Sequence, residues 1–253
     1  MRIITAEYDS AVLGHTAPYS VIIPDHLDGS DNIPYVLITH GMTDTVRSWI
    51  EGTRITEYLE SHGFAAVMPF AANSYYTDMA AGDRFWTQIT DELPEMAAVE
   101  YGFSRERSRR FVMGNSMGGY GALKVALSFP ERYAAAVSFS GVTDIAYRFC
   151  DCGFWPEDGV ANWGADYKKT LPGSRNDLYT LVREVESCGD ARPVIRQICG
   201  TEDYLYRDNI RFRDFMLSRT GWDYDYAEDT GSHWWDFWDR KLPGVLDFFE
   251  GLL

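Results

Sequence analysis

A serine at position 116 is the residue in this sequence best placed to react. It lies in Gly-Asn-Ser-Met-Gly at residues 114–118, which fits the pattern G-x-S-x-G. The apolar run Phe111–Met113 predicts a buried strand before it, and apolar residues at helical spacing predict a helix after it. A serine on a sharp turn between a strand and a helix is the context in which this pattern marks a nucleophile. We therefore predict a nucleophilic Ser116 rather than a turn that only caps a core helix.

A serine hydroxyl needs a base to accept its proton, and the chain has five histidines. Four of them precede Ser116, in loops or at the ends of predicted elements: His15, His26, His40 and His62. His40 directly follows a buried strand, where it can shape a loop. In enzymes with this nucleophile turn the chain order is serine, acid, histidine, and only His233 follows Ser116. His233 is therefore the predicted base, and its alternative role is to cap the last helix.

A third group must orient the imidazole and stabilise its charged form. Asp203 follows the predicted strand Val194–Cys199 at the carboxyl end of the sheet, where such sites assemble. Other acids lie nearer to His233 in the sequence: Asp225, Glu228 and Asp229. The first alternates within a short strand and the other two lie in the next turn. Asp203 is therefore the predicted acid, with helix capping as its alternative role.

Acyl transfer also needs donors for the negative oxygen of the tetrahedral intermediate. The backbone N–H of Met117, directly after the nucleophile, is one predicted donor. The second should come from the loop after the buried strand that ends at Thr39. There, Gly41 allows a tight turn and the N–H of Met42 is the predicted donor.

Strand-like and helix-like segments alternate along the chain. Apolar runs predict eight strands, which begin near residues 3, 19, 35, 64, 111, 134, 193 and 223. Helices are predicted after Ser116 and at 54–62, 84–101, 176–188, 207–219 and 234–252. Pro94 is expected to bend or restart the helix at 84–101. Asp25–Pro34 is predicted to be a hairpin loop. The alternation predicts an α/β fold with a mostly parallel sheet flanked by helices, in one domain over residues 1–253.

Residues 142–175, after the sixth predicted strand, lack periodicity and are rich in glycine, proline and aromatic residues. We predict that this segment is an insertion or lid. Together with the polar, aromatic loop at 75–78, it is expected to form the wall of a substrate pocket. The alternative is that both segments are only packed surface loops. The predicted pocket residues are Gly41, Tyr75, Tyr76, Trp163, Tyr204 and Trp234.

Composition narrows the possible partners. The net charge of −15 argues against nucleic acid and anionic membranes, which attract clusters of Lys and Arg. The sequence has neither an apolar run of membrane-spanning length nor a signal-peptide pattern, so a cytoplasmic location is expected. The four cysteines lack metal-site or redox spacing and are expected to be free thiols, with Cys199 buried. No metal site is predicted.

Several ordered motifs resemble the esterase D-type α/β-hydrolases. They are Gly114–Ala122 around Ser116, the segment Gly-Thr-Glu-Asp-Tyr-Leu-Tyr at 200–206, Gly-Ser-His-Trp-Trp at 231–235, His40–Met42 and Tyr75–Asp78. The resemblance spans nearly the whole chain and is greatest to bacterial tributyrin esterases, which cleave short-chain acyl esters. S-formylglutathione hydrolases and feruloyl or acetyl-xylan esterases share the superfamily. Tyr120 stands where the glutathione thioesterases usually carry histidine, which argues against that branch.

The resemblance implies the α/β-hydrolase fold, the triad Ser116, Asp203 and His233, and no cofactor. The expected activity is hydrolysis of acetyl to butyryl esters through an acyl-enzyme, on small-molecule or carbohydrate-linked substrates. A thioesterase and a feruloyl or acetyl-xylan esterase are the alternatives of the same class. A non-catalytic binding module is the alternative of another class, and homo-oligomerisation is left open.

Overall fold

The computed structural model describes residues 1–189 and 191–253, and one sheet of eight strands forms its centre. In chain order the strands are β1 Arg2–Ser10, β2 His15–Ile23, β3 Tyr35–Thr39, β4 Ala65–Pro69, β5 Arg110–Asn115, β6 Ala135–Phe139, β7 Val194–Gly200 and β8 Tyr224–Asp229. Their spatial order is β1-β2-β4-β3-β5-β6-β7-β8. Strands β3 to β8 are parallel, whereas β1 and β2 are antiparallel to their neighbours. This confirms the predicted mostly parallel sheet.

Helices cover both faces of the sheet. Within the described residues the α-helices are α1 Ser48–Gly52, α2 Ile55–Glu60, α3 Phe85–Thr87, α4 Leu93–Tyr101, α5 Met117–Ser128, α6 Pro156–Trp163, α7 Tyr167–Thr170, α8 Leu178–Cys188, α9 Tyr206–Leu217 and α10 Trp235–Glu250. Short π-helical segments span Gln88–Glu92 and Tyr147–Asp151, and 3₁₀ turns span Asp25–Leu27 and Arg107–Arg109. Together with the sheet, this is the predicted α/β-hydrolase architecture.

Two apolar cores lie on opposite faces of the sheet, because successive strand residues point to opposite sides. In β3, Tyr35 and Leu37 belong to the core that includes α4, α5, α8 and α9. Val36 and Ile38 belong to the other core, beneath α1, α2 and α10. All five residues of β3 are buried, which explains why this strand reads as a continuous apolar run.

The connection Asp25–Pro34 is not a hairpin loop, which corrects the sequence prediction. Strand β4 lies between β2 and β3 and pairs with both, so this connection crosses over a strand. The hairpin of the sheet is formed by β1 and β2 instead. Its turn ends at Gly14, whose φ of 75° suits a residue without a Cβ.

The predicted helix at 84–101 is interrupted as expected from Pro94. The π-helical segment Gln88–Glu92 separates α3 from α4, and Pro94 lies in the first turn of α4. Proline has no N–H to donate to the carbonyl of Thr90, four residues earlier. That carbonyl accepts a hydrogen bond from Arg132 Nη1 at 3.3 Å instead.

Residues 142–175 form short helical segments joined to the loop after β4. The backbone N–H groups of Ala80 and Ala81 donate to the carbonyls of Asn162 and Ala161, at 3.0 and 2.9 Å. These bonds connect α6 to the residues just after the 75–78 loop, and the Trp163 ring of α6 lies 5.8 Å from the Tyr75 ring. The two segments predicted to form a pocket wall are therefore in contact. Movement of 142–175 as a lid and the single-domain organisation remain predictions.

The cysteines are free thiols and Cys199 is buried, as predicted. None of the helices in the described residues has the length and apolar character needed for a membrane span. Among residues 1–189 and 191–253, no three His, Cys, Asp or Glu side chains are grouped to hold a metal ion.

Candidate active site

Ser116 occupies a sharp turn between β5 and α5. Its φ of 57° and ψ of −120° lie outside the regions that non-glycine residues normally adopt. Its N–H donates to the Phe139 carbonyl at 2.9 Å, and its carbonyl accepts from Val142 N at 3.2 Å and Tyr120 N at 3.2 Å. These bonds hold the strained residue at the carboxyl end of the sheet. The turn has the form predicted from the sequence.

The two glycines of the motif are required by close packing. A Cβ added at Gly114 would lie 2.1 Å from Thr39 Oγ1, and one added at Gly118 would lie 2.2 Å from the Thr39 carbonyl oxygen. Thr39 Oγ1 also donates to the Gly118 carbonyl at 2.7 Å. The end of β3 therefore packs directly against the Ser116 turn, with no room for larger residues.

Asp203 and His233 form a hydrogen-bonded pair between the loops that follow β7 and β8. The distance from His233 Nδ1 to Asp203 Oδ2 is 2.8 Å. The other carboxylate oxygen of Asp203 accepts from Leu205 N at 2.7 Å, and the side chain is fully buried. Because the buried carboxylate can only accept, Nδ1 of the imidazole carries the proton and Nε2 is left free to accept one.

Aromatic rings fix the orientation of the imidazole. The Tyr204 ring lies 4.6 Å from the His233 ring, between centroids, and the Trp238 ring lies 5.1 Å away at an interplanar angle of 87°. Trp238 is held in turn by its indole N–H, which donates to Ser140 Oγ at 3.1 Å. The imidazole is therefore constrained both by Asp203 and by packing.

Ser116 and His233 line one cavity of about 620 Å³, which we call the Ser116 cavity. In the described part of the chain, no hydrogen bond joins the Ser116 hydroxyl to the imidazole. Contacts of this kind are often long in an unliganded enzyme and tighten when substrate binds. The arrangement brings a strained serine, an oriented imidazole and a buried carboxylate to one site, which suits nucleophilic attack assisted by a base.

The loop after β3 approaches the same site. A Cβ added at Gly41 would lie 2.8 Å from Asp44 Oδ2 and 3.4 Å from Ser116 Cβ, so only glycine fits there. Asp44 braces this turn by accepting from Gly41 N at 3.0 Å and from Asn115 Nδ2 at 3.4 Å. Met42, the next residue after Gly41, lines the cavity.

Two backbone amides near Ser116 have no internal acceptor. Within the described residues, the N–H groups of Met42 and Met117 donate no hydrogen bond. The Met117 side chain is fully buried, so only its backbone can serve the site. Both amides are thus available as donors, and their role as oxyanion donors stays a prediction.

His40 shapes the loop after β3, the role left open for it by the sequence. It is fully buried; burial lowers the pKa of its imidazole, which therefore stays neutral at physiological pH. Its Nδ1 donates to the Gly41 carbonyl at 2.7 Å and its Nε2 accepts from Ala71 N at 2.9 Å. His40 therefore connects the predicted oxyanion loop to the loop after β4.

The Ser116 cavity is lined mainly by aromatic and acidic side chains. Its rings are Tyr75, Phe154, Trp155, Tyr204, Trp234, Trp235 and Trp238, and its carboxylates are Asp44, Glu157 and Asp158. Four residues predicted for the pocket are among its lining: Gly41, Tyr75, Tyr204 and Trp234.

Tyr76 and Trp163, also predicted for the pocket, do not line this cavity. Tyr75 and Tyr76 both have a φ near 50°, so the backbone turns between them and the two rings take different sites. The Tyr76 ring packs on Gly121 of α5, and its hydroxyl donates to the His40 carbonyl at 2.8 Å. Trp163 packs 5.8 Å from the Tyr75 ring and lines a neighbouring cavity.

Several lining residues were not singled out from the sequence. Trp235 and Trp238 share a helix face with spacing i, i+3 directly after His233, and this spacing could have indicated them. Asp44 follows three residues after Gly41, but a single acid in a loop has no distinguishing pattern. Glu157 and Asp158 lie in the first turn of α6, where acids are common as helix-capping charges.

The fold and the grouping of serine, histidine and aspartate define an α/β-hydrolase of the serine hydrolase class. A family model described as "Putative esterase" matches residues 10–249, so the chain belongs to this esterase family. It is a carboxylic ester hydrolase.

Individual relatives agree with this assignment. An acetyl esterase of Caldicellulosiruptor saccharolyticus is 27% identical over 231 residues, covering 87% of this chain and 85% of the relative. The substrate-bound fluorophosphonate-binding serine hydrolase FphF of Staphylococcus aureus is 26% identical with a TM-score of 0.90, covering 98% of both chains. The S-formylglutathione hydrolase FrmB of Staphylococcus aureus, solved as the apoenzyme, is 26% identical with a TM-score of 0.87 and the same coverage.

Proposed function

We propose that this enzyme hydrolyses carboxylic esters of short acyl groups through an acyl-enzyme on Ser116. The observation that carries the proposal is the hydrogen-bonded Asp203–His233 pair at the cavity that also contains the strained Ser116. A binding module would have no need for this combination. The proposal places the protein beside the tributyrin esterases within its family.

The proposed acylation step uses the free side of the imidazole. His233 Nε2 accepts the Ser116 proton while Oγ attacks the ester carbonyl, and the buried Asp203 stabilises the imidazolium that forms. His233 then returns the proton to the departing alcohol oxygen as the C–O bond breaks. Water, deprotonated by the same imidazole, cleaves the acyl-enzyme and releases the carboxylic acid.

The negative oxygen of the two tetrahedral intermediates is assigned to the Met42 and Met117 amides. Both N–H groups are free of internal acceptors, so they can donate to an oxyanion without breaking an existing bond. The Asp44 and His40 contacts fix the Met42 loop in advance. A fixed donor stabilises developing charge more effectively than one that must reorganise during the reaction.

Preference for short acyl groups is supported by the aromatic wall. Rigid rings fill volume near Ser116 and leave little continuous apolar length for a long chain. Tyr75 is held in place by its hydroxyl, which donates to Met42 Sδ at 3.0 Å, and by the Phe149 ring at 4.9 Å. An acyl chain gains about 0.8 kcal/mol for each buried methylene only until it reaches such a wall. The related acetyl esterase of Caldicellulosiruptor saccharolyticus also has a short acyl group in its name.

The central test removes the nucleophile. We expect Ser116→Ala to lower kcat for p-nitrophenyl acetate by about three orders of magnitude or more. The exposed Ser187 of α8, changed to alanine, is the matched control and should retain full activity. Equal unfolding midpoints for both variants would exclude misfolding. Hydrolysis by Ser116→Ala near the wild-type rate would refute the assignment.

The acyl preference is tested with a series of p-nitrophenyl esters. We expect kcat/KM to peak between acetyl and butyryl and to fall steeply by octanoyl. A profile that rises through octanoyl and decanoyl would mean that the rings line an open channel, and the short-acyl proposal would fail. A maximum for feruloyl esters would instead favour the aromatic-acyl alternative.

The thioester alternative is tested with S-formylglutathione beside p-nitrophenyl acetate. The three carboxylates of the cavity disfavour glutathione, which itself carries two carboxylates. We therefore expect the oxygen ester to be the better substrate. The cytoplasmic location, carbohydrate-linked substrates and the oligomeric state stay predictions.

A further inference from the structure

The Ser116 cavity has a charge imbalance that ester hydrolysis itself does not require. Asp44, Glu157 and Asp158 line it, and its lining residues include neither lysine nor arginine. The nearby Arg148 donates to the Tyr204 carbonyl at 2.9 Å and is neutralised by the buried Asp208. A substrate in this cavity therefore meets negative charge from the protein.

These carboxylates have no internal counter-ions. Within the described residues, none of Asp44, Glu157 and Asp158 forms an ion pair. Glu157 and Asp158 are adjacent, and partial burial together with the Glu157 charge raises the pKa of Asp158. A cation bound at this wall would relieve both the repulsion and the burial cost.

Exposed rings stand beside the same carboxylates. Trp155, Tyr204 and Trp234 are 55%, 56% and 64% exposed, although large apolar side chains usually pack inside, and all three line the cavity. Aromatic faces attract alkylated ammonium groups through their quadrupoles and also contact the alkyl groups directly. Carboxylates add the long-range attraction that the rings lack.

A buried acceptor adds a second, independent indication. Asn115 is 1% exposed and lines the cavity, and its Oδ1 has no hydrogen-bond partner within the described residues. Its Nδ2 is used by Asp44. This unpaired carbonyl oxygen lies just beneath the cavity surface, so its partial negative charge favours a cation in the cavity over an anion.

We propose that the Ser116 cavity selects esters whose alcohol carries an alkylated ammonium group. The inference rests on the proposed esterase function and adds the substrate class. In the reaction the acyl C–O bond breaks, His233 protonates the leaving oxygen, and the amino alcohol departs with its charge unchanged. Water then releases the short-chain acid from Ser116.

The test compares two esters of the same shape. Acetylcholine and 3,3-dimethylbutyl acetate differ in replacing the quaternary nitrogen by carbon, so acyl group and size are matched. We expect kcat/KM for the cationic ester to exceed that of the neutral one by about tenfold at low salt. The ratio should shrink as sodium chloride rises, since salt screens the carboxylates.

Variants locate the source of any preference. The double change Glu157→Gln and Asp158→Asn removes two charges at constant size, and the ratio should fall towards one. The control Asp9→Asn and Glu100→Gln removes two charges from exposed acids of β1 and α4, and the ratio should stay at its wild-type value. A wild-type ratio that both double variants retain would overturn the proposal, because the cavity carboxylates would not be its source.

Hydrolysis of p-nitrophenyl acetate distinguishes the esterase activity from the preference for cationic esters. A ratio near one in a wild-type enzyme that still cleaves this neutral ester would overturn the cation preference and leave the esterase proposal intact. Failure to cleave any of the three esters would overturn the proposed function, and the inference with it.

Discussion

Two cavities lie on either side of the loop at residues 75–78, and they use charged groups in opposite ways. Tyr75 lines the Ser116 cavity, whereas Thr77 and Asp78 line a second cavity of about 240 Å³ beside Lys124 of α5. We call the second one the Lys124 cavity. Helix α5 thus begins directly after Ser116, which lines one cavity, and brings Lys124 to the other.

Among the described residues, the three carboxylates of the Ser116 cavity form no ion pair, whereas the amine of Lys124 is occupied by hydrogen bonds. Its Nζ donates to the Tyr76 carbonyl at 2.6 Å and to Asn176 Oδ1 at 2.7 Å, and it lies 4.3 Å from the centre of the Trp86 ring. Glu157 and Asp158 line the cavity where we propose that substrate binds, whereas the buried amine of Lys124 holds the wall behind it.

The wall held by Lys124 leads back to the predicted oxyanion loop. Lys124 bonds the Tyr76 carbonyl, the Tyr76 hydroxyl bonds the His40 carbonyl, and His40 bonds the carbonyl of Gly41. Changes in the Ser116 cavity should therefore act mainly on chemistry, and changes at Lys124 mainly on stability. This difference can be tested in three ways.

The largest effect should come from the catalytic side, with Asp203→Asn. The amide keeps the size but loses the charge that stabilises the imidazolium, so kcat for p-nitrophenyl acetate should fall by about three to four orders of magnitude. Urea unfolding of the same variant checks the comparison. If Asp203→Asn lost its activity because the protein unfolds, the separation between a catalytic and a stabilising region would be contradicted.

On the other side, Lys124→Met should mainly lower stability. The change keeps the apolar stem but leaves the Tyr76 carbonyl and Asn176 Oδ1 without their buried donor. We expect a loss of about 2 kcal/mol in the free energy of unfolding. The exposed Lys169, changed to methionine, is the matched control and should cost almost nothing.

Kinetics complete that prediction. Because the wall moves rather than the triad, kcat/KM for Lys124→Met should fall far less than for Asp203→Asn. Urea titrations and p-nitrophenyl acetate assays measure the two quantities on the same samples. A triad-sized loss of activity in a stable Lys124→Met protein would contradict the separation of roles.

The third effect is a dependence of the free energy of unfolding on pH. Burial lowers the pKa of Lys124 to about 7, with the Asp78 charge acting in the opposite direction. Between this value and the ordinary lysine pKa of about 10.4, the unfolded chain binds more protons than the folded one. Raising the pH through this window therefore favours the folded state, by up to about 1.4 kcal/mol per pH unit.

Lys124→Met lacks this contribution. The stability advantage of the wild type over the variant should therefore grow by about 2 kcal/mol between pH 7 and pH 9. Unfolding free energies at several pH values measure it, and the difference for Lys169→Met should stay flat. Parallel wild-type and Lys124→Met curves would show that the amine titrates as an ordinary lysine.

Most of the fold was predictable, because buried parallel strands are continuous apolar runs that local sequence reveals. The order of the strands was not, since the insertion of β4 between β2 and β3 depends on pairing between distant segments. That is why Asp25–Pro34 was misinterpreted as a hairpin loop. The break near Pro94 was predictable, because proline acts through its own missing N–H.

Part of the candidate site was likewise predictable from local sequence, and part was not. Ser116, Asp203 and His233 each stand in a local motif directly after a strand, and the carboxyl ends of parallel strands meet at one edge. The wall has no such pattern. Tyr75 and Tyr76 are adjacent and chemically alike, and only their left-handed backbone sends one to the cavity and the other under α5.

The aromatic wall also has an optical consequence. Four of the eight tryptophans line the Ser116 cavity: Trp155, Trp234, Trp235 and Trp238. Their fluorescence therefore reports occupancy of the cavity without any attached label. Asp44, Glu157 and Asp158 line the same cavity as these indoles, so they attract cations and repel anions. Caesium ions should therefore quench the fluorescence more efficiently than iodide ions.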